Sequence, residues 1–292
     1  MKIGIFPPFS SPWATGEYIQ TLGPAAEQRG FHSLWAAEHV VLFDHYQSKY
    51  PYSPDGKFPA SGESGLMDPF VTLSYVAAVT RSIRLGTGIC LLPQRSPVYT
   101  AKDAATLDYL SNGRFDMGIG VGWLAEEFRA LQMPFERRAE RCRSYIEVMK
   151  TLWCDAVSEY KDEFYELPAC RMYPKPVQDP YPPIHFGGES DAALRRVADL
   201  GHGWYGFGLE PDETEERLEK LERLLVERGR ALSDVEISIC PYMKTVDLDK
   251  VKRYAAAGVD QVILLVMLPT TELIEPTLDK LAETIVEPAR SL

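Results

Sequence analysis

Short apolar, β-branched runs alternate with amphipathic stretches along the whole chain. Eight runs have the length and composition of buried parallel strands: residues 2–6 (KIGIF), 33–37 (SLWAA), 83–91 (IRLGTGICL), 114–120 (RFDMGIG), 183–187 (PIHFG), 203–207 (GWYGF), 235–240 (VEISIC) and 261–266 (QVILLV). Between them apolar residues recur at helical spacing, as at Ile146, Met149 and Leu152, or at Leu218, Leu221, Leu224 and Leu225. Helix starts are signalled by Asp68 before Pro69, by Ser96 before Pro97, and by Ser190 or Asp191 before AALRRVADLG. Three helical stretches stop at a glycine, Gly30, Gly201 and Gly258, just before the next strand. Eight β/α alternations without a low-complexity linker predict a single α/β domain over residues 1–292, a closed (β/α)8 TIM barrel rather than a doubly wound sheet, which usually has fewer strands.

Two segments break the pattern. Residues 40–67 have no periodicity and hold Phe43, His45, Tyr46, Tyr50, Tyr52 and Phe58, which predicts an insertion acting as a lid. Residues 158–182 predict a second insertion, a hairpin turning at Lys161-Asp162 and followed by a proline-rich connection.

Composition narrows the class of function. A chain of 292 residues with 45% hydrophobic content can bury a large core. Its net charge of −11 is spread over helical stretches such as residues 212–228, which argues against nucleic acid and anionic membranes as partners. The longest apolar run, VILLVML at 262–268, is too short to span a bilayer, and MKIGIFPPF lacks the features of a signal peptide, so a cytoplasmic protein is expected. Five scattered cysteines read as reduced thiols, and the five histidines show no metal-ligand spacing, so no metal site is expected.

Candidate chemistry gathers where the strands end, because (β/α)8 barrels work at the C-terminal ends of their strands. Glu38 and His39 close the second strand and read either as a proton-handling pair or as a structural one. GIGVGW at 118–123 is not a dinucleotide fingerprint, since the third glycine would fall at Trp123; its glycines either admit a flat ligand or form a tight turn. Gly187, Gly188 and Ser190 can offer backbone N–H groups, a hydroxyl and a helix N-terminus to a phosphate, while Arg195 and Arg196 lie too far along the helix to be expected as ligands. Gly86 and Gly88 interrupt the third strand, as at a bulge or a close backbone approach.

In order along the chain, GFHSLWAAEHV, the whole of residues 83–123, EEFRAL with ERRAER, and PPIHFGGESDAALRRVADLGHGWY resemble the bacterial luciferase-like monooxygenase superfamily, and within it the coenzyme F420-dependent oxidoreductases. The resemblance implies a barrel with a deazaflavin or flavin lying across its C-terminal mouth, backed by a non-prolyl cis peptide at Gly88-Ile89. It implies that His39 lies near the reactive ring carbon beside the acid Glu38, that Gly120, Val121 and Gly122 follow the ring or ribityl chain, and that Gly187, Gly188 and Ser190 meet the phosphate. The function it implies is hydride transfer between coenzyme F420 and a small organic substrate. His39 then handles the proton, Glu38 orients His39 or tunes its pKa, and Phe43, Tyr46 and Trp123 line the substrate side. An FMN-dependent monooxygenase and a non-catalytic flavin-binding protein are the alternatives. Two departures stand out: Trp123 replaces the acid of sugar-phosphate dehydrogenases, and residues 206–213 lack a phosphate-gripping lysine or threonine. Relatives of this kind are commonly dimers, so a homodimer is expected.

Overall fold

The computed structural model describes residues 1–60 and 63–292. In chain order its elements are β1 (Lys2–Phe6), α1 (Gly16–Gln28), β2 (Ser33–Ala36), α2 (Pro69–Val79), β3 (Arg84–Thr87), α3 (Pro97–Ser111), β4 (Phe115–Ile119), α4 (Ala125–Ala130), α5 (Arg138–Cys154), β5 (Ser158–Lys161), β6 (Glu166–Cys170), β7 (Ile184–Gly187), α6 (Asp191–Leu200), β8 (Gly203–Phe207), α7 (Pro211–Val226), β9 (Glu236–Cys240), α8 (Leu248–Ala256), β10 (Gln261–Leu265) and α9 (Ile274–Leu281). Eight of the strands close into a parallel barrel in the order β1-β2-β3-β4-β7-β8-β9-β10, which is the predicted (β/α)8 architecture.

The hairpin β5–β6 lies outside the barrel and is antiparallel. Its turn runs from Asp162 to Tyr165, where the Asp162 carboxylate accepts from the backbone N–H groups of Phe164 and Tyr165. The predicted helix starts hold as well: Asp68 caps α2 and Ser190 caps α6, each through its side chain. Residues 61 and 62 of the 40–67 insertion lie outside the described residues.

The third strand is shorter than its apolar run predicts. Pairing stops at Thr87, the Gly88-Ile89 peptide is cis, and Cys90 rejoins the sheet through a bridge to Ile119. The neighbouring glycines explain how this bulge fits. A methyl group at Gly86 would collide with the Trp35 ring, one at Gly118 with the Thr87 carbonyl, and one at Gly120 or Gly187 with the side chain of Ile89. The barrel wall is thus thinned around one inserted isoleucine.

Beneath the bulge several buried polar side chains are joined along one chain of bonds. The Trp35 indole donates to Ser33 (2.8 Å), Ser33 donates to Gln261 (2.9 Å), and Gln261 donates to Ser238 (3.1 Å). Buried groups paired in this way rigidify a core. This network fixes Trp35, on which the floor of the site rests.

Candidate active site

The C-terminal mouth of the barrel holds a cavity of about 570 Å³, a size suited to a cofactor or drug-sized ligand. Its walls come from the end of β2, the β3 bulge, the glycine loop after β4, the turn after β7, and β8. The 40–67 insertion roofs it with Tyr50, Tyr52 and Phe58. Two neighbouring carboxylates of α4 hold the insertion down: Glu126 accepts from the backbone of Gln47 and Ser48, and Glu127 from that of Val40 and Val41.

Glu127 is also the partner of His39. Its Oε2 lies 2.9 Å from His39 Nδ1 and 3.1 Å from the Gln94 amide, and the carboxylate is fully buried. On the other side of the imidazole, the Trp123 indole N–H donates to Nε2 at 3.3 Å. An indole nitrogen only donates and a carboxylate only accepts, so the two partners fix a neutral imidazole with its proton on Nδ1 and its lone pair on Nε2. Burial pushes the Glu127 carboxyl up, but hydrogen bonds from His39, Gln94 and the Val40 N–H outweigh it and hold the group below the usual carboxylate range.

The sequence expectation that Glu38 orients His39 is corrected here. Glu38 borders the cavity, yet its carboxylate accepts from the Leu91 N–H (2.6 Å) and pairs with Arg95. These bonds tie the end of β2 to the segment that follows the bulge. Glu127, 88 positions from His39 in the chain, takes the orienting place. A sequence signal for it existed: Leu124 and Phe128 are buried one helical turn apart, and Glu127 lies on the same inner face, a charge among core positions.

The aromatic expectations divide. Trp123 lines the cavity as expected, but Phe43 and Tyr46 do not. Phe43 is half-buried outside it, and Tyr46 packs behind Trp123 (5.7 Å between ring centres) with its hydroxyl accepting from the Phe58 N–H. An irregular loop carries no period that could tell inward from outward aromatics, so Tyr50, Tyr52 and Phe58 took the places assigned to them.

All the expected cofactor residues, Gly88, Ile89, Gly120, Val121, Gly122, Gly187, Gly188 and Ser190, border the cavity. Two of the glycines, Gly120 and Gly187, also make room for Ile89, while Gly122 and Gly188 adopt positive φ values of 78° and 105° that a side chain rarely takes. The Ser190 hydroxyl accepts from Ala193 N–H (3.2 Å), which leaves its proton available.

Arg196, not expected as a ligand, also reaches the cavity. It forms no ion pair among the described residues, and burial holds its guanidinium below the usual range, with Arg143 adding. Arg138 likewise lacks a carboxylate partner among the described residues; burial and then Arg196 and Arg141 depress it. Arg196 thus brings a half-buried guanidinium without a carboxylate partner to the cavity that Gly187, Gly188 and Ser190 also line, while Arg138 lies at Gly122, donating to its carbonyl (3.0 Å).

Two further polar groups complete the wall. Glu189 accepts from the Phe207 N–H (2.8 Å) and from the Tyr52 hydroxyl, and burial pushes its carboxyl up to about 7. Tyr205 is buried on the floor, and apart from the thiol of Cys240 no hydrogen-bond partner for its hydroxyl is found among the described residues. No group of three or more metal-ligating side chains and no helix long and apolar enough to cross a membrane occurs among the described residues.

Known proteins resemble this chain in sequence and in fold. An uncharacterized protein of Mycobacterium tuberculosis is 33% identical over 250 residues, covering 86% of this chain and 85% of its own. The monooxygenase RslO1 of Streptomyces bottropensis superposes with a TM-score of 0.77 at 21% identity, covering 98% of this chain and 99% of its own. The coenzyme F420-dependent tetrahydromethanopterin reductase of Methanopyrus kandleri does so with a TM-score of 0.74 at 19% identity over 98% of both chains. The luciferase-like monooxygenase family model matches residues 1–261, and with the closed barrel and the cavity at its mouth this establishes the chain as a member of the luciferase-like monooxygenase family of oxidoreductases.

Proposed function

We propose that the protein is a coenzyme F420-dependent oxidoreductase that moves a hydride between the deazaflavin and a small, largely apolar organic substrate. The observation that carries this reading is the pairing, within one cavity, of an oriented imidazole with an unpaired cationic end. The residues present fit the cofactor. Gly187, Gly188, Ser190 and Arg196 would hold its phosphate, and the Gly88-Ile89 bulge with Gly120, Val121 and Gly122 would back its ring. Coenzyme F420 carries a longer anionic tail than the single phosphate of FMN, and Arg138, which donates to the Gly122 carbonyl and has no carboxylate partner among the described residues, is a second cation that the longer tail could meet.

When bound, the deazaflavin supplies the two-electron chemistry. The chain manages the proton. His39 takes up at Nε2 the proton released when an alcohol-like substrate loses its hydride, and returns it in the reverse direction. Glu127 stabilises the resulting imidazolium, and Trp123 must release Nε2 for this to happen, which couples proton transfer to a small movement of the wall. The aromatic roof excludes water.

Reduced FMN with oxygen, as in a monooxygenase, is the second reading, favoured by the likeness to a monooxygenase over nearly the whole chain. Anaerobic incubation with reduced coenzyme F420 and a panel of small ketones separates the two. Reappearance of oxidised deazaflavin supports the proposal, while turnover restricted to reduced FMN plus oxygen overturns it.

The outer faces of α2 and α3 expose Val71, Tyr99, Tyr109 and Leu110, which fits the expected homodimer and is tested by sedimentation. Five free thiols fit a reducing, cytoplasmic location.

A further inference from the structure

The floor of the cavity carries a polar group that the proton chemistry does not use. Tyr205, on β8, is 2% exposed, and its ring is held between Trp35 (4.9 Å between centres, 45° between planes) and Phe207 (6.3 Å, 22°). Its hydroxyl lies over the bulge: a methyl group built on Gly88 would come within 3.0 Å of it. Apart from the thiol of Cys240, no hydrogen-bond partner for that buried hydroxyl is found among the described residues. The phenols around it are engaged elsewhere, Tyr52 with Glu189 and Tyr50 with Tyr242, and its remaining polar neighbour is the buried thiol of Cys240, a weak partner. A buried hydroxyl left unpaired burdens the fold, and nearly all such groups in native proteins find a partner. At a cavity wall the partner can be a ligand.

We propose that Tyr205 is a positioning residue whose hydroxyl donates to the pyrimidinedione edge of a flavin-type ring lying on the Gly88-Ile89 bulge. This rests on the cofactor reading above and adds a direction to it. The floor around Tyr205 is otherwise apolar, formed by Phe6, Ile89 and Leu265, so a single donor there decides which end of a flat ring enters. The carbonyl-bearing edge goes inward to Tyr205, and the anionic tail points outward to Ser190 and Arg196. Flavins and deazaflavins share that edge, so the inference holds for either cofactor.

Tyr205→Phe keeps the packing and removes only the hydroxyl. Thermal melting of the ligand-free variant, equilibrium titration with coenzyme F420 and with FMN in the absence of substrate, and the visible spectrum of each bound ring test the proposal. The expected result is a melting temperature equal to or above that of wild type, a Kd raised about tenfold, as for loss of one hydrogen bond, and a shifted absorption band of the bound ring. An unchanged Kd and spectrum overturn the proposal, and a raised KM alongside them reassigns the hydroxyl to the substrate. A variant that melts lower or fails to fold also overturns it, since the hydroxyl then supports the fold. Wild-type protein that takes up neither cofactor overturns the cofactor reading itself, an outcome distinct from the others.

Discussion

Glu127→Gln isolates the group on which the site's geometry turns. In the native arrangement both carboxylate oxygens face donors: Oε1 receives Val40 N–H (2.7 Å) and Val41 N–H (3.3 Å), and Oε2 receives His39 Nδ1–H (2.9 Å) and the Gln94 amide (3.1 Å). A glutamine of the same shape can keep its carbonyl on the Oε1 side. Its NH2 group then faces two donors on the other. Hydrogen bonds to a charged group are worth about 1.5–3 kcal/mol each, and removing one partner of a buried pair costs about 3–5 kcal/mol. Because the imidazole can escape by moving its proton to Nε2, we expect the lower part of that range, about 3–4 kcal/mol. That escape has its own consequence, since an Nε2–H faces the Trp123 indole N–H and breaks the bond on the far side. Urea denaturation measures the stability loss, and nitrogen-15 NMR of the histidine rings reads the tautomer directly. A variant as stable as wild type, with the His39 proton still on Nδ1, would refute the reasoning.

Three other outcomes follow from named contacts. His39→Ala should slow turnover by about 100- to 10,000-fold while changing cofactor affinity less than about tenfold, as measured by steady-state kinetics and titration; loss of cofactor binding in step with activity would make His39 part of the cofactor seat. Gly187→Ala places a methyl group 2.5 Å from Ile89 Cδ1, so it should cost about 1–3 kcal/mol in denaturant unfolding and weaken cofactor binding, and wild-type stability would show that the bulge has room to spare. Glu189 is held protonated in the folded state, so its contribution to stability is complete below about 4.5 and is lost as pH rises through about 7. Glu189→Gln should flatten that part of a melting-temperature profile, and an unaltered slope would contradict the assignment.

The barrel was legible because strands buried on both faces read as unbroken apolar runs, and all eight runs became strands. The end of β3 was less so: residues 88–91 are as apolar as a strand, but the bulge that interrupts them depends on space made by glycines from β4 and β7, which a local pattern does not reveal. His39 was recognisable from its place at a strand end, whereas its partner was not, because adjacency in sequence favoured Glu38 and the contact with Glu127 forms only when the barrel brings α4 over β2. Arg196 was discounted by its distance along α6. Yet Ser190, Ala193 and Arg196 follow one another at intervals of three on the face that borders the cavity, and a long side chain covers the remaining distance.

The central claim, that the mouth of this barrel seats a deazaflavin, is tested most directly by parallel equilibrium titration of the purified protein with coenzyme F420 and with FMN. Submicromolar binding of coenzyme F420, about tenfold or more tighter than FMN, is expected, with a loss of that preference in Arg138→Ala if the second cation serves the longer tail. Submicromolar binding of FMN with none of the deazaflavin would contradict it.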